Sequence, residues 1–221
     1  PAATIRREVR YAFLTALIFA LNGFCIYLLM AEGWTLVYTE VADYGWAYGV
    51  FSLMAAIILH DAYFYWTHRL MHHPRLFNLF HRVHHDSKSP TPWAAYAFAP
   101  LEGVVQTMFL TFLIFVLPVH IVVIYLFMLH MIARNVIGHS GFELFPRGTA
   151  AHRVFGLFTT NTHHDLHHSS KGFNYGLYFT WWDRLAGTEH PGYFDTFERV
   201  FRKEKSTAAP PRATSLDWDS S

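Results

Sequence analysis

The sequence predicts an all-α integral membrane fold, with four transmembrane helices paired as two hairpins. Three observations carry that expectation. Hydrophobic residues make up 52% of the 221 and charged ones only 15%, well below the roughly 25% usual for soluble domains. The apolar residues gather in long charge-free runs. The basic residues are confined to the segments on one side of those runs.

The first run, Tyr11 to Ala31, has 21 residues without a charge, preceded by Arg6, Arg7 and Arg10 and followed by Glu32. At about 1.5 Å per residue it covers a bilayer core of about 30 Å. A second run from about residue 45 continues through His60-Asp61-Ala62-Tyr63-Phe64-Tyr65-Trp66, turning aromatic as a helix does where it leaves the hydrocarbon. The third, Gly103 to Ala133, holds no Asp, Glu, Lys or Arg over 31 residues and would be about 46 Å long as one helix. Pro118 at its centre breaks it. The expected spans are therefore 11–31, 45–66, 95–117 and 119–138, with 67–93 and 139–202 outside the hydrocarbon and Glu102 near the interface. A re-entrant hairpin around Pro118 that never crosses is the alternative.

Of the 17 Lys and Arg residues, three precede the first span, four lie between spans two and three, and ten follow from Arg134 on. The loop between the first two spans has Glu32, Glu40 and Asp43 but no basic residue, and the Pro118 turn has none. The positive-inside rule then puts both termini and the segments 67–93 and 139–202 in the cytosol. The tail 203–221 has too little apolar surface to fold alone and is expected to be disordered. One domain accounts for the rest. The chain does not begin with Met, so a segment is expected to have been removed ahead of Pro1. A net charge of +1 gives no reason to expect nucleic acid, and the single Cys25 excludes a disulfide framework or a Cys-rich zinc finger.

Histidine is the unusual component, with 16 copies. His68-x-x-x-His72, with His73, follows the second span. His81-x-x-His84-His85 comes next, and His163-His164-x-x-His167-His168 lies after the fourth. On a helix, positions i, i+3 and i+4 share a face, so each group is expected to aim two or three imidazoles at one point. A lone His-His pair is ordinarily surface; H-x-x-H-H twice, beside a third helical pair, is not an accident of composition. Imidazole suits Fe, Cu, Zn and Ni. Eight rings exceed the four that one structural zinc takes, so two ions are expected. Asp61, Asp165 and Asp183 are the candidates to accept the far N–H of a ligating ring, against the plain reading of helix-end carboxylates in water. The hairpin at Pro118 is also what convergence needs, since a single span there would leave the third group on the opposite side.

At this point the chain resembles the fatty acid hydroxylase/sterol desaturase superfamily of membrane di-iron enzymes. The resemblance runs from about Asp61 to Thr188 and rests on five stretches: Asp61–His73, His81–Asp86 with Ser89-Pro90, His139-Ser140-Gly141, Thr162–Ser169 and Thr180–Thr188. It implies a four-helix stem under a cytosolic cap. It also implies two Fe ions on His68, His72, His81, His84, His85, His139, His164, His167 and His168, a site that Zn can occupy in a purified sample. His73 and His163 rank below these nine; His120 and His130 are expected to pack or hydrogen-bond, and His60 and His152 stay ambiguous. The implied reaction uses O2 and two electrons to hydroxylate an unactivated C–H bond of a lipid (sterol, fatty acyl or related), with desaturation on the same site as the alternative. No flavin, haem or Fe–S motif is present, so a separate ferredoxin or cytochrome b5-like donor with its reductase is expected. The lipid is expected to enter between aromatic helix ends at Tyr63, Phe64, Tyr65, Trp66, Trp93, Tyr96 and Phe98, a group equally suited to an interfacial belt. The bacterial inner membrane and the endoplasmic reticulum both fit. From another class, a metal-binding or transport protein without oxygenase activity would place its ligands at mid-membrane.

Overall fold

The computed structural model describes residues 2–87 and 91–207, and for 203–207 the backbone alone. Nine helices are found among the described residues: α1 (Ala2–Ala31), α2 (Gly45–Met71), α3 (Pro74–Phe80), α4 (Arg82–His85), α5 (Pro100–Val116), α6 (Ile121–Gly138), α7 (Asn161–Ser169), α8 (Trp181–Leu185) and α9 (Tyr193–Thr207). Three of them, α1, α2 and α6, are long and apolar enough to cross a membrane. Their outward faces carry large exposed apolar side chains such as Phe13, Leu21, Val50, Phe51, Tyr125 and Leu129, a surface that water would not tolerate at this extent. The chain is a multi-pass membrane protein.

The turns show how these helices are ordered. α1 ends where Gly33 takes φ +71° and the Trp34 amide reaches back to the Leu29 carbonyl at 3.0 Å, a left-handed stop open to glycine. Two short strands, β1 (Val37–Tyr38) and β2 (Val119–His120), then pair in parallel. β1 lies between α1 and α2, and β2 between α5 and α6. The pair therefore clips both connections together at one end of the helices, helped by the His120 ring, whose Nε2–H donates to the Thr39 carbonyl (2.8 Å). The N-termini of α1 and α5 and the C-termini of α2 and α6 are left together at the other end, where the histidines are.

Pro118 does interrupt the long apolar run, with Leu117 extended ahead of it. α5, however, begins at Pro100 rather than near 95. Proline is favoured at the first helical position, and its ring holds the preceding Ala99 extended (ψ 150°). The residues before it form a separate 3-10 turn, Pro92–Tyr96. α5 is thus 17 residues, about 26 Å. Beyond the fourth long helix, α9 runs on to Thr207, five residues into the segment expected to be unstructured; 208–221 lie outside the described residues.

Ile57, Phe109, Leu113, Ile114, Ile124 and Phe127 form the core between α2, α5 and α6. Tyr178, from the segment between α7 and α8, belongs to it as well. Its hydroxyl meets His60 Nδ1 at 2.8 Å, eight residues and about 12 Å down α2 from His68. The segment around residue 178 therefore dips between α2 and α6. Asp61 supports it: Oδ1 accepts the amides of Tyr178 (2.8 Å) and Phe179 (3.2 Å). Irregular backbone at that depth needs such partners, because there is no water to supply them.

Candidate metal centre

The helix ends bring the nine leading histidines into two groups. His68, His72, His81, His85 and His167 form one; His84, His139, His164 and His168 form the other. Within each group one nitrogen from every ring lies within 4.8 Å of all the rest. The division cuts through the motifs. His81 and His85, four apart, join the first group, while His84 between them joins the second. His164 and His168 join the second, while His167 joins the first. Neighbouring helical residues diverge by about 100° and residues four apart by only about 40°. A helical H-x-x-H-H segment therefore aims at two points, where a single point was expected.

The approaching atoms are all Nε2. His68 and His81 come within 2.9 Å, His85 and His167 within 3.0 Å, and His72 within 3.2 Å of both His85 and His167. In the second group His164 is 2.9 Å from His139 and 3.1 Å from His168, and His139 is 3.3 Å from His84. Several Nδ1 atoms are committed elsewhere. His68 Nδ1 donates to the Tyr175 carbonyl (2.9 Å), His167 Nδ1 to the Phe173 carbonyl (2.8 Å) and His139 Nδ1 to the Asn135 carbonyl (2.8 Å). His81 Nδ1 donates to Glu102 Oε1 at 2.7 Å. A carbonyl only accepts, so the proton must sit on Nδ1 and the Nε2 lone pair is bare. With Glu102 ionised the same holds for His81, and in His68 and His81 two such lone pairs then face each other across 2.9 Å. That contact repels unless a cation lies between them. Rings bound at about 2.0–2.1 Å to one ion would place their nitrogens about 2.9 Å apart at right angles and about 3.3 Å apart at the tetrahedral angle. The observed separations match.

Burial reinforces this. It pushes His72 down to about 3 and His85 to about 2, and neighbouring imidazoles press in the same direction. His139 and His167 are lowered to about 4, also by burial first. His84, His164 and His168 lie well below the ordinary histidine value for the same cause, with His139 and His168 or their neighbours adding to it. All are neutral at physiological pH, the form in which an imidazole can bind a metal.

The loop after α7 supplies the carbonyls. Asn174 adopts φ +57°, uncommon outside glycine. It is pinned there by its amide to the Thr188 carbonyl (2.8 Å), its Nδ2 to the His163 carbonyl (2.9 Å), and its Oδ1 accepting from His190 N (2.7 Å). Asp183 takes the amides of Tyr175 and Gly176, each at 2.9 Å, and the Thr188 hydroxyl at 2.7 Å. Gly176 fits because a Cβ there would come within 2.5 Å of the Phe179 carbonyl oxygen.

The carboxylates expected behind the rings act differently. Asp61 and Asp183 bind backbone amides, and Asp183 steadies the ligand loop rather than a ligand. Asp165 is half-exposed on α7, and no hydrogen bond from its side chain to a ring is found among the described residues. Glu102 is the carboxylate that does reach an imidazole. The sequence signal for it was present: a lone acid beside a charge-free helix. His73 caps α3, its Nδ1 accepting from Arg75 N at 3.3 Å. His163 is fully buried but turned away from both groups, with Nε2 3.5 Å from Asp183 Oδ2. His152 and His120 accept backbone amides at turns, and the His130 ring packs on Tyr178. Of the aromatic helix ends, Trp66 and Trp93 are exposed while Tyr65 and Phe98 are buried.

Apolar membrane helices crowned by two clusters of neutral imidazoles define a histidine-rich membrane protein able to hold metal. The chain belongs to the fatty acid hydroxylase family, whose sequence profile matches residues 53–188. It is 32% identical over 187 residues to a Delta(7)-sterol 5(6)-desaturase of Gibberella zeae, covering 83% of this chain and 55% of that protein. It is 32% identical over 196 residues to the lathosterol oxidase of Rattus norvegicus (86% and 63%). It is 27% identical over 162 residues to a methylsterol monooxygenase of the same species (72% and 54%). The chain thus spans little more than half the length of these relatives. No solved structure matches it.

Proposed function

We propose that this protein is an O2-dependent di-iron oxidoreductase that oxidises an unactivated C–H bond of a sterol-like lipid. The observation that carries it is the convergence of one nitrogen from each of nine imidazoles in two groups, of five and four rings, at the end of a membrane helix bundle. Imidazole-rich sites with open positions suit ferrous iron. The pair of ions, when bound, would supply the O2 activation that no side chain here can perform. The chain's own part is to fix the Nε2 atoms of His68, His139 and His167 through backbone carbonyls and that of His81 through Glu102, and to keep the rings neutral by burying them. His72, His85 and His168 also line a groove of about 900 Å3 with Arg82 and Lys171. It gives a polar approach for O2 and for a separate electron donor, a ferredoxin or cytochrome b5-like protein with its reductase. By the charge asymmetry, the four apolar helices form two hairpins with both termini and the histidine end in the cytosol.

Hydroxylation and desaturation begin with removal of the same hydrogen. The relatives named as sterol desaturase and lathosterol oxidase move the balance toward desaturation, with hydroxylation as the second reading on the strength of the methylsterol monooxygenase. A transport role is disfavoured because the ligands cluster where the helices end rather than midway along them. The test is metal analysis of the purified protein together with sterol profiles of a sterol-producing cell expressing the wild type or His84→Ala. The proposal expects iron in the protein and an oxidised sterol present only with the wild type. Identical profiles, or a protein that takes up no iron, sink it.

A further inference from the structure

A cavity of about 310 Å3 lies between α1, α5 and α6, below the histidine end. That is the size of a small-ligand pocket. Its walls are apolar, with Phe19, Ile26, Phe109, Ile124, Phe127 and Met128 among them. Tyr27 and Tyr125, which also line it, are 62% and 65% exposed on the lipid-facing surface. No Asp, Glu, Lys or Arg lines it. Four polar residues do. Asn22 and Thr107 are engaged with one another and with Thr111: Asn22 Nδ2 donates to the Thr107 carbonyl (3.3 Å), and its Oδ1 accepts from the Thr111 hydroxyl (3.0 Å).

The other two are His60 and Gln106. His60 is 2% exposed, and its Nδ1 is taken by the Tyr178 hydroxyl, which leaves Nε2 without a partner among the described residues. Gln106 is 8% exposed, and its amide nitrogen is buried with no partner. Both line the cavity, and the His60 ring is 4.7 Å from that of Phe109, which stands one turn after Gln106 on α5. Unmade hydrogen bonds at such depth are costly, so a ligand that makes them gains specificity.

We propose that this cavity binds a neutral, hydroxyl-bearing apolar lipid, its hydroxyl held between His60 Nε2 and the Gln106 amide. The group must be uncharged, because a carboxylate, phosphate or ammonium would meet no counter-charge. It must accept, because the amide nitrogen only donates, and since the ring nitrogen takes either role with its tautomer, a group that both donates and accepts satisfies either tautomer. A hydroxyl does both. Gln106 is one helical turn from Glu102, which holds His81, so the bound hydroxyl marks the end of the lipid nearer the metal groups. The inference deepens the proposed function by naming the polar group of its substrate.

The test reads binding, not turnover. Full-length protein in lipid nanodiscs is irradiated with a diazirine-bearing cholesterol analogue, and adducts are mapped by mass spectrometry while metal is measured on the same sample. Adducts are expected on the cavity wall, at residues such as Met30 and Met128, rather than on lipid-facing Phe13 and Leu129. Excess cholesterol suppresses them, whereas 5α-cholestane, which lacks the hydroxyl, does not. Gln106→Leu lowers cavity labelling at least several-fold with metal content unchanged, and Met128→Trp, which fills the cavity from another helix, does the same. Even labelling over the lipid-facing surface, equal competition by cholestane, or wild-type labelling in both variants overturns the proposal. Selective labelling in a protein that takes up no iron upholds this site and overturns the oxygenase reading instead.

Discussion

Replacing Glu102 by Gln tests how the two histidine groups differ. Glu102 Oε1 lies 2.7 Å from His81 Nδ1, with both side chains almost wholly buried, at 1% and 2% exposure. Gln keeps the shape and an accepting oxygen but removes the charge. A hydrogen bond to a charged partner is worth about 1.5–3 kcal/mol against about 0.5–1.5 for a neutral one. The difference, about 1–1.5 kcal/mol, corresponds to about a tenfold loss of metal affinity, at the lower end of the 10–100-fold typical for partners behind a ligand. It should fall on the five-histidine group alone, because the second group is backed by the Asn135 carbonyl on His139 and by no carboxylate among the described residues. Chelator competition on purified protein, read as metal equivalents per chain, should show one of two phases shifted about tenfold toward lower chelator and the other unmoved. Equal weakening of both phases, or no shift, would refute the assignment of Glu102 to one group.

Ligand number sets a second expectation. His139→Ala leaves three rings in its group and should lose close to one metal equivalent, whereas His167→Ala leaves four in the other and should weaken retention without abolishing it; elemental analysis after dialysis distinguishes them. Gly176→Ala drives a Cβ onto the Phe179 carbonyl and shifts the loop that orients His68 and His167, so metal retention should fall by about an order of magnitude with helical circular dichroism unchanged. In the metal-free protein the rings have folded-state values below the ordinary 6.5, at about 4 for His139 and His167. The unfolded chain therefore binds more protons between those limits. Stability should be full above about pH 6.5 and fall steadily as pH drops toward 4, followed by denaturant midpoint; a flat profile over that window would contradict the burial of neutral rings.

The sequence by itself determined which residues converge. Helical spacing selects His68 with His72, His81 with His85 and His164 with His168, and the charge-free runs with Pro118 between them order the helices that carry these pairs. Those are local properties, set by the 3.6-residue period and by proline's missing N–H, and so readable from neighbours along the chain. Which ring shares an ion with which was decided only by the tertiary structure, because His84 and His167 leave their own motifs to join rings from distant helices. The same holds for the partners behind the rings. Asp61, seven residues before His68 on one helix face, looked placed to support it, yet a loop 117 residues further on takes its carboxylate instead. Glu102 reaches His81 because α5 begins at Pro100, packed beside α3, whose C-terminal end His81 caps. Side-chain direction across packed helices depends on their relative rotation and depth, and residue spacing along a single helix does not contain either.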